Sequence, residues 1–407
     1  MRGLADAGGL DRGQCPAVDH PLYLDHAATA PPLPEALAAF DRAAREAFAN
    51  PGSPHAAGAR AASELARARE ELVAALGADG YRVVFTATGT ESDHLGIQGL
   101  ARRRRRRAER AGGGAQARVL YSAVEHPAAR EAARALAAEG FRVSPIPVDA
   151  GGVVRPEALR PLLGPDVALV AVMAANNELG GLNPVPELVG LVRRLAPEAA
   201  FHCDAVQWAG KRPETIASLG ADAIAVAAHK VGGIRGCAAL LLRRDGPEPE
   251  PLFRGGGHEG GLRSGTENVM GAAAFAAAAA VRRRLLDAEP RRYLDRRARL
   301  LELLRRERPD LVVLGPSEEA EVQGSILSLA LPGCRAEPLL HRLEVRGILV
   351  GSGSACSHGG ARESPVLAAI GLAPELRDSV LRISLDGGES EDDLARAAAA
   401  IAEESRR

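Results

Sequence analysis

From Arg82 to Leu242 short apolar runs alternate with longer stretches of helix-forming residues, and this alternation restricts the fold more than any other feature of the chain. The runs lie at Arg82–Phe85, Val119–Val124, Phe141–Val148, Val167–Met173, Ala200–Cys203, Ala223–Ala227 and Cys237–Leu242. Helical patterns separate several of them, at Glu91–Arg107, Ala128–Glu139 and Val185–Leu195. Short apolar runs bounded by polar residues read as buried strands. Strands joined through a helix must run parallel, because the chain has to return across the sheet before it can pair again. The pattern therefore predicts an α/β fold whose large, mostly parallel sheet is wrapped by helices.

At 407 residues the chain exceeds the size of one ordinary domain. Residues 1–20 have no apolar core, do not read as a secretory signal, and are expected to form a loose tail. Two helices flanking a turn at Asn50–Pro54 are expected before the first run, between Pro34 and Ala75. An Arg- and Leu-rich helical stretch from Val281 to Arg308, broken near Pro290, marks the expected domain change. Residues 33–285 would form the large α/β domain, and residues 21–32 plus 286–407 a smaller α+β unit ending in the helix Glu391–Arg407.

Composition excludes several function classes. No run approaches the roughly 18 apolar residues of a membrane span, and 51 basic residues nearly cancel 52 acidic ones. A field strong enough to gather nucleic acid or anionic lipid is therefore not expected. The arginines Arg102–Arg107 read as the solvated end of a helix, since no aromatic residues interleave with them. Cys15, Cys203, Cys237, Cys334 and Cys356 are odd in number and lack CxxC spacing, which argues against a disulfide framework or a metal site and fits a reducing cytoplasm.

Ligands of open α/β sheets bind beyond the carboxyl ends of the strands, so the polar residues that close each run are the candidates for chemistry. Arg82–Phe85 leads into Thr86, Ala87, Thr88, Gly89, Thr90, Glu91, Ser92 and Asp93. Small residues and free N–H groups at a helix start suit a phosphate. The same segment reads equally as a cap, with Thr90 at the N-cap and Asp93 three residues on. Later runs end in Glu125 and His126, in Asn176, Asn177 and Glu178, and in Asp204 and Gln207. His126 before Pro127 also fits a surface or capping residue, and Asp204 needs a cation or a cap role where a buried strand ends. Ala223–Ala227 delivers His229 and Lys230. Alone, Lys230 reads as a surface charge. Against a desolvated site, a lysine forms a Schiff base with a carbonyl cofactor, and an aspartate keeps the ring nitrogen of pyridoxal phosphate protonated. Phosphate loop, histidine, carboxylate and lysine follow one another along the chain, and the set points to that cofactor.

The segments Tyr23–Ala28, Asn50–Ser53, Thr88–Asp93, Glu125–His126, Asn176–Gly180, Asp204–Gln207, His229–Lys230, Gly255–Glu259, Arg263–Thr266 and Gly351–Cys356 carry a further signal in their order and spacing. Over roughly Leu22–Leu385 the chain resembles the class V, fold-type I pyridoxal phosphate enzymes, and within them the NifS/IscS-type cysteine desulfurases. The resemblance implies pyridoxal 5'-phosphate as cofactor, a Schiff base on Lys230, His126 stacked on the ring, Asp204 paired with the ring nitrogen and Gln207 bonded to the ring phenolate. It implies a phosphate held by Gly89, Thr90 and His229, with Thr266 reaching it from the neighbouring subunit of a homodimer. Asn177 and Arg382 would bind the substrate carboxylate, a role that suits the guanidinium fork. Alone, Arg382 also reads as a charge on an edge strand.

Cys356 stands in the glycine- and serine-rich stretch Gly351–Gly360, expected to form a mobile loop over about residues 351–364. An isolated cysteine defaults to a small buried hydrophobe, whereas glycine flanks favour an exposed thiol that can ionise and attack. By resemblance Cys356 would take the sulfur of L-cysteine as a persulfide, leave L-alanine, and pass the sulfur to a protein acceptor serving iron–sulfur assembly, tRNA thiolation or biosynthesis. Two departures from the family pattern stand out. Ala227 replaces a hydroxyl residue two positions before His229, and His358–Ser364 is about one residue short. The alternatives are a selenocysteine lyase or another class V lyase or aminotransferase, neither of which needs Cys356 as a mobile nucleophile, and a non-catalytic sulfur-relay or scaffold protein.

Overall fold

The computed structural model describes residues 21–110, 117–352 and 364–406. β1 (Leu22–Leu24) precedes α1 (Pro34–Glu46) and α2 (Ala56–Leu76). The alternating region then runs β2 (Tyr81–Thr86), α3 (Gly89–Arg110), β3 (Arg118–Ser122), α4 (Pro127–Ala135), β4 (Arg142–Ile146) and α5 (Pro156–Leu159). It continues through β5 (Val167–Ala171), α6 (Val185–Leu195), β6 (Ala200–Asp204), β7 (Ala223–Ala227) and β8 (Ala238–Arg243). After α7 (Val269–Leu285) and α8 (Glu289–Glu307) come β9 (Val312–Leu314), β10 (Ile326–Ala330), α9 (Ala336–Val345) and β11 (Ile348–Ser352). The chain closes with α10 (Pro365–Ala369), α11 (Pro374–Arg377), β12 (Val380–Ser384) and α12 (Glu391–Glu404).

Seven strands form one sheet in the order β2-β8-β7-β6-β5-β3-β4. All pairings among β7, β6, β5, β3 and β4 are parallel, and β8 is antiparallel to both its neighbours. Every residue of β5, β6 and β7 is buried, as expected of strands covered by helices on both faces. Alanines dominate α7, which is buried nearly all round and packs against both α1 and α2, so small side chains let these helices approach closely.

A second sheet has the order β1-β11-β12-β10-β9. β1 enters it by pairing in parallel with β11, Leu22 opposite Ile348, so residues near the start of the described chain complete a sheet built mostly from its end. Its own apolar cluster includes Leu24, Leu300, Leu327, Leu381 and Ile401.

The strands and helices lie where the alternation predicts, with three corrections. The expected helix Ala128–Glu139 is divided: α4 ends at Ala135, and Leu136–Glu139 tightens into a 3₁₀ turn stopped by Gly140 at φ 86°. Gly351 and Ser352, expected in a loop, belong to β11, where pairing with β12 outweighs the low strand propensity of glycine. Arg382 is on no edge, because β12 lies between β11 and β10. Cys356 and the rest of residues 353–363 lie outside the described residues, as do residues 1–20. The arginines of α3 turn back onto the protein: Arg102 bonds the Glu139 carboxylate, Arg104 the Glu198 carbonyl and Arg105 the Glu139 carbonyl. Among the described residues no helix is long and apolar enough to cross a membrane.

Candidate functional site

The turn from β2 into α3 is fixed by side chains. Thr88 Oγ1 accepts from Glu91 N at 3.1 Å, and the Glu91 carboxylate accepts from Ala87 N at 2.7 Å. Thr88, rather than Thr90, therefore caps the helix, which leaves the exposed Thr90 hydroxyl uninvolved in the cap. Arg263 reaches Glu91 at 2.8 Å and Arg69 reaches Glu259 at 2.9 Å, tying the segment before Thr266 to the start of α3 and to α2. Thr266 itself is exposed, with no side-chain hydrogen bond to another described residue. The first N–H groups of α3 have no partners within the helix. A Cβ on Gly89 would stand 3.2 Å from Val206 Cγ2 and 3.6 Å from Ala227 Cβ, so Gly89, Val206 just past β6 and Ala227 at the end of β7 form a cradle at the amino end of α3.

Ligating atoms of Asp93, His126 and Asp204 lie within 4.8 Å of one another, which brings together the start of α3, the end of β3 and the end of β6. His126 both caps and faces the site. Its Nδ1 accepts from Ala128 N at 3.1 Å, which leaves the proton on Nε2. Burial, followed by the charge of Lys230, pushes His126 down to about 4, so it is neutral at pH 7. Asp204 Oδ1 accepts from Val206 N at 2.9 Å, and its other oxygen has no partner among the described residues. Burial and the nearby Asp93 raise Asp204 to about 7. Glu125 is buried, accepts from Met173 N at 2.7 Å, and is held well above the carboxylate range by burial and by Asp204. Lys230 Nζ donates to the carbonyls of Ala27 at 2.6 Å and Ala28 at 2.8 Å. His229 Nδ1 meets Thr29 Oγ1 at 3.2 Å, and burial together with Lys230 pushes the ring down to about 4.

On the side facing the second sheet, Arg382 is 1% exposed. It donates to Asn177 O at 3.1 Å and to Asp25 Oδ1 at 2.8 Å, while its Nε and Asn177 Oδ1 are buried without partners. Glu178 accepts from Ser364 Oγ at 2.7 Å and is raised to about 7, mainly by burial.

Four residues escaped the sequence reading. Asp93, read there as a possible cap partner, is buried and bonds His202 Nε2 at 3.0 Å. His202 stands two residues before Asp204, so strand periodicity places both on one face, a signal present in the sequence. Gly96 of α3 makes room for that ring. Lys211 donates to Gln207 Oε1 at 2.7 Å, and the i, i+4 spacing alone could have suggested the pair.

The family model for class-V aminotransferases matches residues 22–396. The chain belongs to that family. Within it the chain groups with the cysteine desulfurases and shares the fold-type I architecture. It is similar to an IscS-like cysteine desulfurase of Mycobacterium tuberculosis, 37% identical over 377 residues that cover 91% of this chain and 93% of the relative. Among solved structures, a NifS-like protein superposes with a TM-score of 0.83 at 30% identity, covering 94% of this chain and 98% of its own. The structure described as SspA in complex with cysteine superposes with a TM-score of 0.74 at 25% identity, covering 91% of this chain and all 100% of its own.

Enzymes of the class-V family work with pyridoxal 5'-phosphate, and the residues present fit it. The unpartnered oxygen of Asp204 matches a protonated ring nitrogen, the cradle at Gly89 matches a phosphate at a helix amino terminus, and Arg382 Nε is a buried donor awaiting an anion.

Proposed function

We propose that the chain is a pyridoxal phosphate-dependent cysteine desulfurase in which Cys356 receives the sulfur of L-cysteine. The observation that carries this reading is the convergence of His126, Asp204 and Lys230 beyond the carboxyl ends of β3, β6 and β7, facing the amino end of α3. Bound at this site, the cofactor supplies an electron sink for the pair released at the substrate's Cα.

The protein's own groups do the rest. Asp204 holds the ring nitrogen's proton, and the carboxylate is stabilised once that cation relieves its burial. Gly89, Thr90 and His229 hold the phosphate, with Thr266 supplied from the second subunit of a homodimer. Lys230 Nζ anchors the cofactor carbonyl and moves the proton at Cα. His126, neutral with its proton on Nε2, stacks on the ring. Gln207 bonds the ring oxygen. Asn177 and Arg382 orient the substrate carboxylate, with Asp25 fixing one guanidinium nitrogen. The Cys356 thiol attacks the sulfur of cysteine: the carbon–sulfur bond breaks, a sulfur–sulfur bond forms, and the products are L-alanine and a persulfide on Cys356. A protein scaffold or sulfur carrier in the cytoplasm then takes the terminal sulfur, for iron–sulfur assembly or tRNA thiolation. The two sheets with separate apolar clusters support a division into a large unit of residues 33–285 and a small unit of residues 21–32 plus 286–407.

The test is the holoenzyme with L-cysteine, measuring alanine and persulfide together. Cys356→Ser is expected to keep the cofactor's visible absorbance and lose persulfide formation. A variant that still makes alanine at the parental rate would remove Cys356 from the reaction and favour a lyase or aminotransferase that needs no thiol.

A further inference from the structure

Lys211 places an amino group in the interior. It is 7% exposed, and among the described residues no carboxylate lies within ion-pair distance of its Nζ. Its hydrogen bond goes instead to a neutral amide, Gln207 Oε1, at 2.7 Å. Gln207 Nε2 donates in turn to Ala27 O at 2.7 Å, and the same carbonyl accepts from Lys230 Nζ at 2.6 Å. The buried Lys211 and the half-buried Lys230 are thus joined through one amide and one carbonyl. Ala27 is itself held by its N–H to Ser384 Oγ at 2.9 Å, so the shared acceptor is a fixed point.

An ammonium group only donates, and a glutamine amide has one end that accepts and one that donates. With Lys211 on the oxygen side, the amide oxygen is committed there and the NH2 group must point the other way. One of its hydrogens is used by Ala27 O, and the second remains for a ligand. If the lysine were replaced by an apolar side chain, the buried Oε1 would be orphaned, which is unfavourable. The half-buried Lys230 Nζ donates to the same Ala27 carbonyl as the amide does. The amide would then turn its oxygen toward the reacting side.

We propose that Lys211 is a positioning residue that locks Gln207 as a hydrogen-bond donor toward the cofactor's ring oxygen, a role that rests on the pyridoxal phosphate reading above. Such a donor stabilises the ring oxyanion and so eases loss of the proton from the linkage between Lys230 and the cofactor. An acceptor in the same place does the reverse. The charged and titratable groups that act on Lys211 are Lys230, Arg282, Arg382 and Glu289, and Lys211 acts in turn on His26 and His229. Burial, reinforced by Lys230, brings Lys211 itself down to about 7.

The experiment is a pH titration of the visible absorbance of the holoenzyme, with cofactor content measured separately. Lys211→Met is expected to raise the titration midpoint by about one pH unit. Gln207→Glu, which accepts from Lys211 but presents no NH2, is expected to raise it with Lys211 in place, and this keeps the idea testable if the methionine variant does not fold. In a Gln207→Leu background, Lys211→Met should shift the midpoint no further, because the effect runs through the amide. An equal shift in both backgrounds would mean that the lysine's charge acts directly and would overturn the proposal, as would an unchanged midpoint in Gln207→Glu. A parent protein that gains no visible absorbance from added pyridoxal phosphate fails earlier, and that outcome refutes the cofactor reading together with this one.

Discussion

Gly96→Ala sets two ordinary effects against each other. Alanine is the better helix former by about 0.8–1.0 kcal/mol, and Gly96 lies inside α3. Its Cβ, however, would stand 2.3 Å from His202 Nδ1 and 2.6 Å from Cε1. An ordinary contact is about 3.5 Å, so the ring must retreat by about 1 Å. His202 is fully buried and its Nε2 is fixed to Asp93 at 3.0 Å, so the ring has no flexible end to swing aside. Overpacking costs about 1–3 kcal/mol. Breaking the Asp93–His202 hydrogen bond and leaving its buried partners unsatisfied adds about 1–3 kcal/mol. Against the helix gain, the variant should lose about 1–5 kcal/mol. Urea unfolding of the apoprotein at neutral pH measures it. Gly190→Ala in α6, where the nearest atom to the added Cβ is the flexible Arg194 Nη1 at 3.5 Å, is the control and should gain up to about 1 kcal/mol. Adding His202→Ala to Gly96→Ala should cost much less than the sum of the single changes, because the first removes the obstacle to the second. A Gly96→Ala protein as stable as Gly190→Ala would refute the packing argument.

Two further outcomes bear on the site. Ala227→Ser adds one oxygen beside the cradle at Gly89, and a hydrogen bond to a charged group, part of it otherwise supplied by water, should slow loss of pyridoxal phosphate on dialysis by about tenfold with turnover little changed. Loss at the parental rate or faster would show that residue 227 does not face the phosphate. In the apoprotein, Glu178 is raised from the ordinary 4.5 to about 7 by burial, so its contribution to stability is fully present below pH 4.5 and is lost as the pH rises through about 7. Relative to the parent, Glu178→Gln should therefore gain up to about 3 kcal/mol between those limits, read from unfolding curves at a series of pH values. A difference independent of pH would mean that Glu178 is not held protonated.

The sequence by itself determined what is local or periodic. The alternation between Arg82 and Leu242 was sufficient for the large sheet, because a strand buried on both faces must be apolar throughout and the polar residue that ends it must be where the sheet ends. For the same reason Asn177, Asp204 and Lys230 were legible as site candidates. Tertiary structure decided what depends on which elements become neighbours. Nothing local to Leu22–Leu24 pairs it with Ile348, and nothing local to Arg382 puts it on a central strand against Asp25 and Asn177. The Thr88 cap, the Asp93–His202 pair and the space at Gly96 share one cause. Each depends on the distance between side chains after α3 has settled on β6 and the rest of the sheet, and periodicity records which face a residue takes but not what it meets there.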